Sequence, residues 1–119
     1  MDEIFLIMQA KMLQNKKEHL QWTSEFHISH DEIVYIQADG SYSTVHTRDG
    51  INIFTSKKLA DYERLLTEDF YRIHHATIVN LKWVSHLDKA NNMVVLTNDD
   101  QLPISRRKKS DFKKLLLEL

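Results

Sequence analysis

Both glycines of the chain stand in Asp-Gly pairs, Asp39-Gly40 and Asp49-Gly50, and runs of strand-like residues flank each pair. An Asp-Gly pair between such runs is a strong signal for a tight β-hairpin turn, because the turn needs positive φ angles that glycine adopts freely. Residues 33–38, 42–47 and 51–55 are therefore predicted as three consecutive antiparallel strands. The rest of the chain has to pack against this meander of hairpins.

The remaining patterns add short strands and a few helices. Alternating or short apolar runs predict six further extended segments, at residues 20–28, 70–73, 74–79, 83–87, 93–97 and 101–104. A helical period predicts helices at residues 1–18, at 57–66 and after Ser105. The hydroxyl groups of Ser56 and Ser105 are predicted to cap the second and third helices. The sequence thus predicts an α+β fold in which β structure dominates.

Length and composition fit one folded domain. The chain has 119 residues, of which 42% are hydrophobic and 28% charged, and this allows a modest core. Residues 1–18 are predicted as an N-terminal helix or linker, and residues 19–119 as the folded domain. The apolar stripe of the first helix could dock on the domain, pair with a second copy or continue a linker from another domain. It consists of Ile4, Ile7, Met8 and Met12.

Several classes of protein are disfavoured by what the chain lacks. It contains no cysteine, which excludes disulfides and thiolate metal sites and is compatible with a reducing cytosol. No run approaches the roughly 18 apolar residues of a membrane span, and residues 1–8 lack the form of a signal peptide. We therefore expect a cytoplasmic protein that has no membrane partner.

Catalytic and metal sites are also disfavoured. The seven histidines lack the ligand spacing of known metal sites. His74 and His75 stand in a predicted extended segment, where neighbouring side chains point to opposite faces. No P-loop, nucleophile elbow or dinucleotide fingerprint is found. We therefore predict no enzyme activity, no metal and no other cofactor.

A strongly basic segment lies near the C-terminus. Residues 102–114 carry six Lys or Arg and one Asp, a balance of +5, whereas the whole chain has a net charge of −1 and the rest therefore −6. Four consecutive cations, Arg106, Arg107, Lys108 and Lys109, are predicted in the first helical turn, where the helix dipole is already positive. This arrangement favours a bound anion, and phosphate is the natural candidate. A solvated basic helix end is the alternative.

Three blocks of the sequence resemble the LytTR family of bacterial DNA-binding domains. They are IVYIQADGSYSTVHT at residues 33–47, FYRIHHATIVNL at 70–81 and LPISRRKK at 102–109. The intervening SKKLADYERLL is similar to a helix of that family. The resemblance covers about residues 20–119, and it implies about ten short strands in small sheets flanked by two or three helices.

The resemblance also implies which residues touch DNA. Domains of this family insert loop residues, rather than a recognition helix, into successive major grooves of bent DNA. Their base-contacting positions fall here on Tyr42, His75 and Arg106. Their phosphate-contacting positions fall on five basic residues, Lys57, Lys58, Arg107, Lys108 and Lys109. The family more often has Arg or Asn at the position of His75 and Ser at that of Ala76, so the second loop departs from the pattern.

The partners follow from the same resemblance. Members of the family usually act as transcription regulators, often as output domains of two-component response regulators, and bind paired repeat sites as dimers. We therefore expect double-stranded DNA with paired repeats, a homodimer on DNA, and either a stand-alone regulator or a receiver domain in the same full-length chain. Two rival classes stay open. A protein-interaction module would use the stripe of the first helix, and an RNA-binding β-domain would use exposed aromatic residues such as Tyr35, Tyr42 and Phe54.

Overall fold

The computed structural model describes residues 29–118, so the predicted first helix and the predicted strand at residues 20–28 lie outside the described residues. Eight strands lie within this range. They are β1 (Ile33–Asp39), β2 (Tyr42–Thr47), β3 (Asn52–Thr55), β4 (Phe70–His74), β5 (Thr77–Asn80), β6 (Val84–Asp88), β7 (Met93–Leu96) and β8 (Gln101–Pro103). Two α-helices, α1 (Leu59–Leu65) and α2 (Lys109–Leu117), accompany them. The prediction of a β-dominant α+β fold is confirmed.

The strands form two antiparallel sheets. One has five strands in the order β3-β2-β1-β5-β4, and the other has three in the order β6-β7-β8. Both predicted Asp-Gly hairpin turns are confirmed, with φ angles of 63° at Gly40 and 80° at Gly50. The pairing of β1 with β5 is not local, since it sets Gln37 opposite Thr77.

Both described helices begin later than the sequence predicts. Lys58 stands at the N-cap of α1, and its N–H donates to the Asp61 carboxylate at 3.2 Å, so Ser56 is not the cap. Ser105 precedes a 3-10 turn (Arg106–Lys108) and makes no side-chain capping hydrogen bond. This turn closes through the backbone instead, because the Lys108 N–H donates to the Ser105 carbonyl at 3.0 Å. Of the four consecutive cations, only Lys109 belongs to the α-helix.

A hydrophobic core lies on each side of the five-stranded sheet. Ile78 and Val79, adjacent in β5, belong to different cores, as expected for neighbours that point to opposite faces of a strand. Helix α1 closes the first core through Tyr62, and the second sheet and α2 close the other, with Phe112 fully buried there. In the described range, no helix has the length and apolar character to cross a membrane.

Candidate nucleic-acid interface

The segments that carry the predicted contact residues meet at one end of the five-stranded sheet. Because neighbouring strands run antiparallel, the β1–β2 turn, the end of β3 and the β4–β5 turn all lie at this end. The Ala38 N–H donates to the Ala76 carbonyl at 2.8 Å and joins the first of these turns to the last. The Ser105 N–H donates to the Ile73 carbonyl at 2.9 Å and brings the segment before α2 to the same place. We call this end of the sheet the loop edge.

Tyr42 opens β2 directly after the β1–β2 turn. It lies opposite Asp39 in the strand register, and it is 61% exposed. A phenol hydroxyl can both donate and accept a hydrogen bond. The loop edge therefore presents to solvent an aromatic ring with a polar tip.

Lys57 and Lys58 follow β3 at the same edge. The hydroxyl of the buried Ser43 in β2 donates to the Lys57 carbonyl at 2.6 Å and fixes the backbone there. Within residues 29–118 neither lysine forms a side-chain hydrogen bond or ion pair. Both lysines therefore add positive charge to the loop edge that no acidic side chain of the described residues pairs.

The turn that carries His75 is held from behind by Arg72. One guanidinium nitrogen donates to the Glu63 carboxylate on α1 at 2.7 Å, and the other donates to the His75 carbonyl at 2.6 Å. His75 itself is exposed. The sequence assigns no contact to Arg72, although the residue lies inside the F-Y-R-I-H motif. The motif was the only available signal, because the link from α1 to this turn arises in the folded chain.

The rings of His74 and His75 lie next to each other, with centroids 4.1 Å apart. The prediction that they point to opposite faces is wrong, because the strand register shifts between Arg72 and His74, and His75 already belongs to the turn. The Ala76 N–H donates to Nδ1 of His74 at 3.2 Å, so this nitrogen is unprotonated. Within the described range, no three His, Cys, Asp or Glu side chains form a group suited to a metal ion.

The four consecutive cations have different surroundings. Arg106 and Arg107 are exposed, and neither forms a hydrogen bond or ion pair with any residue from 29 to 118. The Lys108 ammonium group lies over the Tyr71 ring, 5.3 Å from its centroid. The Lys109 ammonium group donates to Oδ1 of Asn92 at 2.7 Å. The two guanidinium groups therefore have no partner among the described residues, whereas both lysine ammonium groups contact other side chains of the domain.

Tyr42, His75 and Arg106 follow one another along the loop edge. Tyr42 opens β2, His75 lies between β4 and β5, and Arg106 follows the residue bonded to β4. The path from β2 to Ser105 crosses four strand spacings, which at about 4.8 Å each amounts to roughly 20 Å. The fold thus brings together three exposed polar side chains that are distant in the sequence.

Acidification is expected to destabilise the domain. Burial lowers the pKa of His30, His46 and His74, and the neighbouring His75 lowers the pKa of His74 further. Below about pH 6.5, histidines of the unfolded chain bind protons, whereas these three histidines of the folded domain stay neutral to a lower pH. Their contribution to the free energy of unfolding is therefore fully present above that pH and is lost as the pH falls through the folded pKa values. Urea denaturation at pH 7.5 and 5.5 should show a lower midpoint at the acidic pH.

His46→Gln provides the control for this prediction. The His46 ring stacks on Tyr35 with centroids 4.1 Å apart, so the variant is expected to lose some stability at both pH values. Its midpoint should nevertheless change less between them than that of the wild type, because one titrating group is gone. Equal midpoints of the wild type at pH 7.5 and 5.5 would contradict the prediction.

The loop edge displays exposed polar and cationic side chains, the types that contact base edges and phosphates in loop-based recognition of nucleic acids. The family model of the LytTr DNA-binding domain matches residues 24–117. The chain therefore belongs to the LytTr DNA-binding domain family, and DNA binding is the function that this membership gives the domain. A solved LytTr DNA-binding domain from Bacillus cereus has the same fold, with a TM-score of 0.68 and 24% identity over 82% of this chain and 94% of that one.

Curated relatives are longer proteins. The chain is 38% identical over 90 residues to the heme-containing CO-sensing transcriptional regulator RcoM 1 of Paraburkholderia xenovorans, covering 71% of this chain and 33% of that protein. It is 36% identical over 99 residues to the CO-responsive transcriptional regulator RcoM of Rhodospirillum rubrum, covering 79% and 41%. It is 28% identical over 94 residues to the sensory transduction protein LytR of Staphylococcus saprophyticus, covering 75% and 36%. The chain thus spans 33% to 41% of the length of these relatives.

Proposed function

We propose that this domain binds double-stranded DNA sequence-specifically and reads bases with Tyr42, His75 and Arg106. The observation that carries the proposal is the convergence of three separate loops on one edge of the sheet, each with an exposed hydrogen-bonding side chain. Five basic residues contact the phosphate backbone, namely Lys57, Lys58, Arg107, Lys108 and Lys109. Of these, Lys108 exchanges its contact with the Tyr71 ring for a contact with phosphate, whereas Lys109 uses its third N–H for phosphate and keeps its bonds to Asn92 and Lys89.

Base reading and phosphate binding have different roles in this mechanism. Phosphate contacts supply affinity and position the protein, whereas hydrogen bonds to base edges in the major groove supply specificity. Arg106 has the forked geometry to donate two hydrogen bonds to O6 and N7 of guanine. Tyr42 and His75 carry groups that can donate or accept at other base edges. A rigid sheet edge holds the three at fixed separations, so the DNA must present its bases at matching positions.

The domain is proposed to act as the DNA-binding part of a bacterial transcription regulator in the cytoplasm. The relatives named as transcriptional regulators and as a sensory transduction protein support this role. Two copies bind paired repeats as a homodimer on DNA, and a receiver domain in a full-length chain or an independent regulator would both suit such an output domain. Neither role requires a catalytic residue or cofactor in this domain.

Selection of duplexes from a random oligonucleotide pool tests the proposal. The selected DNA should share a motif, and paired half-sites spaced near one helical turn would indicate two bound copies. If five or six phosphates are neutralised, the logarithm of the binding constant should fall against that of salt with a slope of roughly −4.5 to −5.5. A pool that yields no shared motif would refute sequence-specific binding, and an affinity independent of salt would refute the proposed phosphate contacts.

Arg72→Ala is expected to weaken recognition without unfolding the domain. The variant removes both hydrogen bonds that hold the His75 carbonyl and Glu63 to one guanidinium group. The side chain of Arg72 is 29% exposed, so we expect a stability loss of about 1 kcal/mol or less. Affinity for the selected duplex should fall about tenfold and that for random DNA much less, because the His75 turn is no longer held. Fluorescence anisotropy with both duplexes measures the difference.

Arg64→Ala is the matched control. Arg64 also forms an ion pair within this region, with Asp61, but its side chain is 75% exposed and, within residues 29–118, forms no hydrogen bond to a turn of the loop edge. Its removal should leave both affinities unchanged. Equal losses on selected and random DNA in Arg72→Ala would mean that Arg72 contributes only charge.

Exposed aromatic residues favour single-stranded RNA as a second candidate. Phe54 is 56% exposed and lies opposite Thr44, two residues from Tyr42, so both aromatic rings project from the same face of β2 and β3. The ring of Tyr35 is half-buried and stacks on His46, so it is not available to a base in the way that the two exposed rings are. Stacked bases would use the two rings. Phe54→Ala should weaken single-stranded RNA binding severalfold if this candidate is right, and should leave duplex DNA binding unchanged if it is not.

A further inference from the structure

A groove with four cations among its six lining residues includes Arg106. It has a volume of about 360 Å³ and opens between the β6–β7 turn and the start of α2. Its described lining residues include no acidic side chain, and they are Leu87, Lys89, Arg106, Lys109, Ser110 and Lys113. We call it the basic groove. Two of its cations, Lys89 and Lys113, are absent from the contacts that the family resemblance implies.

The fold holds the basic groove next to the loop edge. The Ile104 N–H donates to the Asn92 carbonyl at 3.0 Å, and this bond places the β6–β7 turn beside the segment that carries Arg106. The Lys109 ammonium group donates to Oδ1 of Asn92 at 2.7 Å and to the Lys89 carbonyl at 3.3 Å, so it ties the turn to α2. The positions of the cations are therefore set by backbone and side-chain contacts across two elements.

The positive charges in the basic groove are not neutralised within the described residues. Lys113, followed by burial and Lys109, lowers the pKa of Lys89, as expected when like charges are held close together. Asp88, next to Lys89 in the sequence, is engaged with Asn91 through hydrogen bonds of 2.9 and 3.2 Å. A bound anion would attract each of these cations and offset their mutual repulsion.

We propose that the basic groove binds a backbone phosphate of the DNA duplex, with Lys89 and Lys113 as phosphate ligands alongside Lys109. The inference rests on the proposed DNA binding and extends it to the β6–β7 turn, which carries none of the contacts proposed above. Arg106 belongs to the loop edge and also lines the groove. The phosphate in the groove therefore belongs to the strand segment that flanks the base read by Arg106, and it fixes the distance over which that side chain must reach.

The double variant Lys89→Ala, Lys113→Ala tests the proposal. Both lysines are exposed, so the variant should fold, and an unchanged thermal midpoint verifies this. Its affinity for the selected duplex and for random DNA should fall about tenfold alike, and its salt slope should become shallower by about 1, because the contact with one phosphate is lost and about one fewer counterion is released. Lys114→Ala, which changes the adjacent lysine of α2 outside the groove, is the control and should retain both affinities.

The outcomes separate this inference from the proposed function. The single variant Lys113→Ala, measured alongside, matches the control in the number of charges removed. If the double variant binds like the wild type, or if Lys114→Ala loses as much affinity as Lys113→Ala, the groove is not a phosphate site although specific DNA binding stands. If the wild type selects no motif and shows no salt dependence, DNA binding itself fails and the inference falls with it.

A second measurement follows the protonation of a lysine in the basic groove. In NMR titrations of the lysine side chains, addition of the selected duplex should raise the pKa of Lys89, because a phosphate then outweighs the repulsion from Lys113 and Lys109. The Lys114 signal should shift less. An unchanged or lowered pKa of Lys89 in the complex would overturn the proposal.

Discussion

Arg106→Ala is expected to abolish most of the discrimination between the selected duplex and random DNA. The guanidinium group is exposed and has no partner within residues 29–118, so it can reach a base at no cost in protein contacts. A bidentate contact to guanine contributes about 1–3 kcal/mol of discrimination, or roughly 5- to 150-fold. Affinity for the selected duplex should fall by that factor. Affinity for random DNA should fall less, because the variant removes only one of several positive charges that attract the phosphates.

Two neighbouring variants distinguish base reading from charge. Arg107→Ala removes an equally exposed guanidinium group and should weaken selected and random DNA alike. Arg106→Lys keeps the charge but loses the forked geometry, so it should bind random DNA like the wild type and still discriminate poorly. Repeating the oligonucleotide selection with Arg106→Ala should give a motif that is degenerate at one position. An unchanged motif would exclude Arg106 as a base reader.

Among the variants proposed here, Phe112→Ala is expected to cause the largest decrease in the free energy of unfolding. Phe112 is fully buried, lies 5.8 Å from the Tyr71 ring between centroids, and is the only residue of α2 classed as buried among those described. Truncation of a buried phenylalanine costs about 3–5 kcal/mol, a large share of the roughly 5–15 kcal/mol that stabilises a typical domain. Because α2 is attached mainly through this ring, the segment with Arg106 should also lose its fixed position.

Leu117→Ala is the matched control on the same helix. Leu117 is 78% exposed, and its removal should change the free energy of unfolding by about 0.5 kcal/mol or less. Urea denaturation measures both variants, and amide hydrogen exchange of α2 reports whether the helix detaches before the sheets unfold. A loss below about 1 kcal/mol in Phe112→Ala would show that the second core does not depend on α2.

Local signals in the sequence predicted the hairpins well. The first three described strands agree with the predicted segments within one residue at each end, because Asp-Gly pairs and alternating residues act over a few positions. The helix starts were predicted poorly. Ser56 and Ser105 are suitable cap residues, but Asp61 and the backbone of the 3-10 turn satisfy the free N–H groups instead. At a helix start, several nearby acceptors compete for the free N–H groups, and the packing of the folded chain decides which acceptor is used.

The residues of the candidate site could be predicted from the sequence, but their positions relative to one another could not. The resemblance implied Tyr42, His75 and Arg106, while Arg72 and Lys89 carried no comparable signal. The contact from Arg72 to the His75 turn depends on α1 lying behind it through Glu63. The neighbouring position of the two histidine rings depends on a shift in strand register. Such features arise from pairing between segments and not from the residues of one segment.

By itself the sequence determined the hairpin turns, the strand-dominated class and the family, because each is encoded by residues close together or by recognisable motifs. Only the tertiary structure decided that three loops share one edge. That outcome requires β5 to insert beside β1, with Gln37 opposite Thr77, and Ser105 to bond Ile73. These contacts join segments some thirty to forty residues apart. Burial of two cores on opposite faces of one sheet is the physical cause, since no local preference specifies such pairings.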